Sequence, residues 1–320
     1  MDLYRPRSIE FPTTVTELIA IATPASMGSY FLGQFRFISL ITRQGYVDSI
    51  LNDPIADLKQ KAKATWALGS FIDIATFNSP MSAHLVRAAC VSHGEYVLDI
   101  ACGTGVTAIT ACRAGAKVIG IDITPELLEH AKEEAALAGL VEGIEWKQGD
   151  AEDLPFPDNS FDIVFSSLGH MFTPRPTVAA KELIRVTKAG GRIAFTTWPP
   201  EHAVGRFFAA IGKHVPPPPN SLPSPMQWGI PEIVRERLGS NIQDLHFERG
   251  VINIPLLSPN HCWHLYSTRY GPLISAIQAL GGQGTAKVKE LEHDVVRSIT
   301  PYIHENLLRL DYLLTLALKV

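Results

Sequence analysis

Through the middle third of the chain, short apolar runs alternate with stretches in which apolar residues recur every three or four positions. Tyr96–Ile100 (YVLDI) and Lys117–Asp122 (KVIGID) read as strands, because short runs of this apolar content fit strands buried on both faces. Between them residues 106–114 read as a helix that stops at Gly115, and the three segments make a βαβ unit. Thr124 and Pro125 open a second helix, in which Leu127, Leu128, Ala131, Ala135 and Ala138 share one face before Gly139. Further strands are expected at 144–147, 161–166 and 192–197, with a helix at 178–186 and a turn at Gly190-Gly191. Strands spaced by helices of this length predict a parallel sheet covered on both faces, an α/β core at residues 90–200.

Two regions flank that core. Residues 1–89 read as a helical cover, broken at 52–54 and at 78–80 by Asn, Ser and Pro. Residues 201–320 contain a short helix, an extended proline-rich stretch around 216–225 and a helical segment at 270–303. Strands expected at 251–257 and 312–319 complete the same sheet, which makes the intervening segments lid insertions.

Composition narrows the class. With 46% apolar and 19% charged residues over 320 positions, the chain is an ordinary folded protein. Lys plus Arg number 28 against 32 for Asp plus Glu, so no basic field exists to hold a nucleic acid backbone. The four cysteines, Cys90, Cys102, Cys112 and Cys262, are scattered without metal-ligand spacing and read as buried thiols of a reducing compartment. The N-terminus lacks the basic flank and apolar run of a secretion signal, so a cytoplasmic location is expected. Residues 18–35 carry no charge, but Pro24, Gly28 and Gly33 interrupt them, which favours a packed segment over contact with a membrane surface.

The chemistry is concentrated where the first strand ends. Asp99-Ile100-Ala101-Cys102-Gly103-Thr104-Gly105 opens directly into a helix, so its glycines allow close approach to the free N–H groups of a helix start. Residues 103–108 satisfy GxGxxA, and Asp122 stands where a ribose-binding acid belongs. The glycine pattern alone does not choose the cofactor.

Four segments in order do choose. VLDIACGTG at 97–105, IDITPELLEHA at 121–131, GDAEDLPFPDNSFDIVFSS at 149–167 and ELIRVTKAGGRIAF at 182–195 resemble the successive motifs of class I S-adenosylmethionine-dependent methyltransferases. The similarity is greatest to the branch containing the ubiquinone and menaquinone methyltransferases, and it extends over roughly residues 60–320. It implies a Rossmann-like seven-stranded fold, five parallel strands plus a late antiparallel hairpin, with S-adenosylmethionine as cofactor. It also implies a turn of Ala101, Gly103, Thr104 and Gly105 around the methionine end. Asp99 would meet the ammonium, Asp122 the ribose hydroxyls, and Ile123 one adenine face. Asp150 would accept from the adenine amine while the Ala151 N–H donates to the ring. Ser166 ends the strand whose backbone adjoins the methionine. Trp66 is either a shield for the sulfonium or a helix-packing anchor.

Methyl transfer from a sulfonium asks mainly for alignment and exclusion of water. A phenol, enol or acidic carbon acceptor would also need a base, and His170 is the candidate; its other reading is a packed loop histidine. His202, His214, His261 and His264 in the lid are weaker candidates. Met171, Phe172, Trp198, Phe207, Phe208 and Trp228 are expected to wall a small apolar or aromatic acceptor. Two alternatives share the motifs: a cofactor-binding partner subunit without catalysis, and an arsenite methyltransferase. The latter needs several convergent thiolates, and only Cys262 falls in the expected lid.

Overall fold

The computed structural model describes residues 53–217 and 222–320, and the chain divides into two compact units, Met1–Pro54 and Ile55–Val320. The uncharged stretch at 18–35 lies outside the described residues. The strands among the described residues, and the cleft between them and the helices, belong to the second unit.

Among the described residues, three α-helices precede the sheet: α1 (Pro54–Trp66), α2 (Phe71–Ala75) and α3 (Ser79–Ala88). Strands and helices then alternate as β1 (Tyr96–Ile100), α4 (Val106–Arg113), β2 (Lys117–Asp122) and α5 (Pro125–Leu137). There follow β3 (Ile144–Gln148), β4 (Phe161–Ser167), α6 (Pro176–Val186) and β5 (Thr187–Thr197). The remainder comprises α7 (Ala203–Gly212), α8 (Pro231–Leu238), β6 (Ile242–Pro255), α9 (Pro259–Arg269) and α10 (Gly271–Ala279). It ends with α11 (Ala286–Ile299), β7 (Ile303–His304) and β8 (Leu307–Lys319).

The strands form one sheet in the order β3-β2-β1-β4-β5-β8-β6, with the short β7 paired to β8. Neighbours among β1 to β5 run parallel, and β8 runs antiparallel to both β5 and β6. Because β1 lies between β2 and β4, the chain turns opposite ways after β1 and at β4, and the carboxyl ends of these strands border a crevice. Val97, Leu98, Ile163, Val164 and Phe165 are fully buried in the two central strands, which is why those segments read as unbroken apolar runs. Gly115 and Gly139 close α4 and α5 at φ of 96° and 73°, as their positions predicted.

Three details differ from the sequence reading. Thr124 makes no side-chain cap on α5; its N–H donates instead to Asp122 Oδ1 at 2.8 Å. Strand β5 begins at Thr187, directly after α6, and Gly190 lies inside a bulge where the register jumps from Thr187 to Arg192. The late strands are longer than expected. The first half of β6 is an edge strand with charged and polar exposed positions, and its pairing with β8 from Ile242↔Lys319 to Pro255↔Leu307 holds it extended. Helices α9 to α11 and β7 separate β6 from β8, so the pair is not a tight hairpin.

Candidate active site

The turn after β1 is held in conformations that side chains resist. Gly103 and Gly105 have φ of 55° and 81°, and Ala101, which has a Cβ, stands at 51°. A side chain on Gly105 would begin 2.5 Å from the Trp146 ring, so that position is closed, whereas one on Gly103 would meet only Phe71 at 3.7 Å. Asp122 fixes this turn from β2: Oδ2 accepts from the Gly103 N–H and Oδ1 from the Thr124 N–H, both at 2.8 Å. Asp99 Oδ2 accepts from the Ala108 N–H at 3.0 Å, while its Oδ1 is buried and has no partner. Burial pushes the Asp99 carboxyl up to about 8; the Ala108 N–H opposes this and the nearby Asp122 adds to it. Burial also raises the Asp122 carboxyl, against several backbone hydrogen bonds. A buried carboxylate oxygen without a partner suits a cation, which is the requirement an amino-acid ammonium would meet.

The loop after β4 forms the facing wall. Ser166 does not line the cleft; its Oγ donates to the Ile100 carbonyl at 2.7 Å and accepts from the His170 N–H at 3.0 Å, bracing the loop from behind. Ser167, Leu168 and Gly169 line it instead. Leu168 is left-handed at φ 67°, and a Cβ on Gly169 would collide with Ala101, so the two strand-end loops touch through their backbones.

His170, the expected base, is turned away from the cleft. It is fully buried, with its ring 4.6 Å from Phe195 and 4.5 Å from Trp228, centroid to centroid. Neither ring nitrogen has a partner, and burial holds its pKa down at about 3, with Arg237 adding to the effect. His202, His214, His261 and His264 do not line the cleft either. Of the expected acceptor walls, Phe172, Trp198, Phe207 and Phe208 face it, while Met171 and Trp228 are buried outside its lining. The turn at Pro225–Gly229 is a brace: Thr197 Oγ1 donates to the Trp228 carbonyl at 2.9 Å. Residues 218–221 of the proline-rich stretch lie outside the described residues.

At the other end, Ile123, Gly149, Asp150 and Ala151 line the cleft beside α1. Lys59 of α1 reaches Asp150 Oδ2 at 2.5 Å and Glu152 Oε2 at 2.6 Å, and Arg175 also pairs with Glu152. Trp66 packs edge-on against Phe71, Phe172 and Tyr270 at 5.5, 5.1 and 5.9 Å. The cleft and its open mouth together hold ≈ 1610 Å³ of space not filled by atoms. Cys102 and Cys262 also line it, and burial raises both thiols, Cys262 to about 12. Cys90 and Cys112 do not reach it.

The sequence reading named Cys262 but missed Lys59, Phe71, Tyr266 and Tyr270. Cys262, Tyr266 and Tyr270 recur every fourth residue, the spacing of one helical face, and that signal was available. Lys59 had none, because its partners lie 91 and 93 positions further along the chain.

Comparison with known proteins agrees with this geometry. Residues 98–195 match the family model described as a methyltransferase domain. The chain is 34% identical over 256 residues to the uncharacterized protein Rv1403c of Mycobacterium tuberculosis, covering 79% of this chain and 92% of that protein. It is 37% identical over 164 residues to the aklanonic acid methyltransferase DauC of Streptomyces sp. strain C5, covering 50% and 73% respectively. Among solved structures, the YcgJ protein of Bacillus subtilis superposes with a TM-score of 0.51 at 23% identity, covering 75% of this chain and 98% of that one, which shows a common fold. A Rossmann-like sheet with a carboxylate-flanked glycine turn at its switch point is an arrangement that binds a nucleoside-containing cofactor. The chain belongs to the class I S-adenosylmethionine-dependent methyltransferases and uses S-adenosylmethionine as cofactor.

Proposed function

We propose that this enzyme methylates a small aromatic acceptor. The observation that carries the reading is the wall facing the glycine turn: Trp66, Phe71, Phe172, Phe207, Phe208 and Tyr270 line it, and no histidine does. Such a wall favours a flat ring by stacking and desolvation and gives nothing to a highly charged polymer. The Streptomyces relative is named as an aklanonic acid methyltransferase, which points to a small organic acid rather than a polymer.

In this reading Asp99 holds the cofactor ammonium with its unpartnered oxygen, and Ala101, Gly103, Thr104 and Gly105 curve around the methionine end. Asp122 accepts the ribose hydroxyls with the lone pairs its backbone bonds leave over. Ile123 covers the adenine, Asp150 accepts its amine and the Ala151 N–H meets the ring. Ser166 acts through the loop it braces. Trp66 closes the cleft over the sulfonium, whose charge its ring face attracts. When bound, S-adenosylmethionine supplies an activated methyl group, so the chain has to align the acceptor and keep water out.

Purified enzyme given cofactor labelled in its methyl group and small-molecule extracts is expected to transfer label to a product that partitions into organic solvent. Label found only in water-soluble or macromolecular material would overturn the aromatic acceptor. Calorimetric titration with S-adenosylhomocysteine is expected to show micromolar binding that Asp122→Ala weakens at least about tenfold, the loss of more than one charged hydrogen bond. Unchanged affinity would remove Asp122 from the cofactor site.

A further inference from the structure

Resting on the aromatic-acceptor reading, a second observation specifies the acceptor's chemistry. Tyr266 lies near the end of α9, Tyr270 lies between α9 and α10, and both line the cleft with their ring centroids 5.7 Å apart. Tyr270 also lies 5.9 Å from Trp66 and 6.4 Å from Phe71. Phe71 is the side chain that a Cβ on Gly103 would meet, so Tyr270 stands one ring away from the glycine turn and Tyr266 one ring further. Phe207 packs against both tyrosines, at 5.8 and 6.1 Å.

Neither phenol hydroxyl hydrogen-bonds to a described residue, and both keep access to the cleft. Burial raises the proton affinity of both, so at neutral pH they donate rather than act as bases. Cys262, one helical turn before Tyr266, also stays protonated. Helices α9 and α10 carry no Asp or Glu, so this side of the cleft offers no carboxylate to pair with an ammonium. With no histidine on the cleft, it also offers no base to remove a proton from a weakly acidic acceptor. Two donors without partners on an apolar wall match an oxygen, and hydrogen bonds to a charged oxygen are about twice as strong as neutral ones.

We propose that Tyr266 and Tyr270 are specificity-determining residues that clamp an oxyanion, so that the acceptor is an acidic phenol or enol bound in its ionised form. The clamp places the oxygen-bearing edge of the acceptor at the lid and its ring against the aromatic wall. Ionisation then occurs in solution, before binding.

The test uses the full chain saturated with S-adenosylhomocysteine and two probes, 4-nitro-1-naphthol and its methyl ether, which share a ring but differ in the ionisable oxygen. Tryptophan fluorescence quenching gives both affinities, and the visible band of the naphtholate reports its ionisation when bound. The naphthol is expected to bind at least about tenfold tighter than the ether, as an anion, and Tyr266→Phe and Tyr270→Phe are each expected to reduce that preference several-fold. The double variant should bind both probes equally, with the affinity for the ether unchanged. Equal binding of the two probes by the unaltered protein, binding of neither, or a preference that survives in the double variant overturns the clamp. Loss of S-adenosylhomocysteine binding in the unaltered protein would instead strike the cofactor site on which the functional reading rests, and a water-soluble labelled product would strike the aromatic acceptor.

Discussion

Asp99 shows how much one side chain's surroundings govern. Its Oδ1 is buried without a partner, and its carboxyl is held at about 8, well above the ordinary 3.8. Between about pH 4 and pH 8 the folded chain therefore keeps a proton that the unfolded chain has released. This favours the ligand-free fold at the acid end and is lost as pH rises through 8. An ammonium beside Oδ1 favours the ionised form, so cofactor binding at pH 7 is expected to expel roughly one proton. Calorimetry of S-adenosylhomocysteine binding in buffers of different ionisation enthalpy measures that number. Asp99→Asn, which keeps the shape and removes the titration, should release none; equal release by both proteins would place the proton elsewhere. Asp99 and Asp122 were legible in the sequence because they end apolar runs beside a glycine turn. Ser166 was one residue off the cleft, since successive strand residues face opposite sides, and Ser167 is the one that lines it.

Among the elements, α1 depends on contacts that no local pattern announces. Lys59 joins it to the loop after β3 through Asp150 and Glu152, and the Glu152 side chain is entirely buried. Removing the cation leaves a buried carboxylate with only Arg175 as its charged partner, a change costing on the order of 1–3 kcal/mol. Lys59→Met is therefore expected to reduce hydrogen-exchange protection across residues 54–66 about tenfold while β1 and β4 keep theirs. Equal loss throughout would mean general destabilisation, and no loss would mean that Trp66 alone anchors the helix. The βα units of the core could be read because their strands are buried on both faces. The first half of β6 could not, because an edge strand with Gln243, Asp244, Glu248 and Arg249 exposed carries no such run, and only its register with β8 makes it a strand.

At the scale of the whole molecule, two buried titratable groups, Asp99 and His170, pull the pH dependence of stability in opposite directions. His170 is held at about 3 rather than 6.5, so the folded chain keeps it neutral where the unfolded chain takes up a proton. Its contribution is full above about pH 6.5 and is lost as pH falls toward 3. From about pH 4 to 6.5 this rise with pH opposes the fall that Asp99 imposes. His170→Phe should fit between Phe195 and Trp228 and abolish two buried nitrogens without partners, so the ligand-free protein is expected to be at least as stable at pH 8. At pH 5 it should gain more, leaving Asp99, with Asp122 raised in the same sense, to make stability fall from pH 4 to 8. Thermal unfolding across that range checks the slope, and a variant weakened more at pH 5 than at pH 8 would refute it. The same variant separates packing from catalysis: methyl transfer retained with S-adenosylhomocysteine binding fits a histidine that braces the loop. Transfer abolished with binding and stability intact would return His170 to the role of base, and would require the loop at 169–172 to turn it toward the cleft.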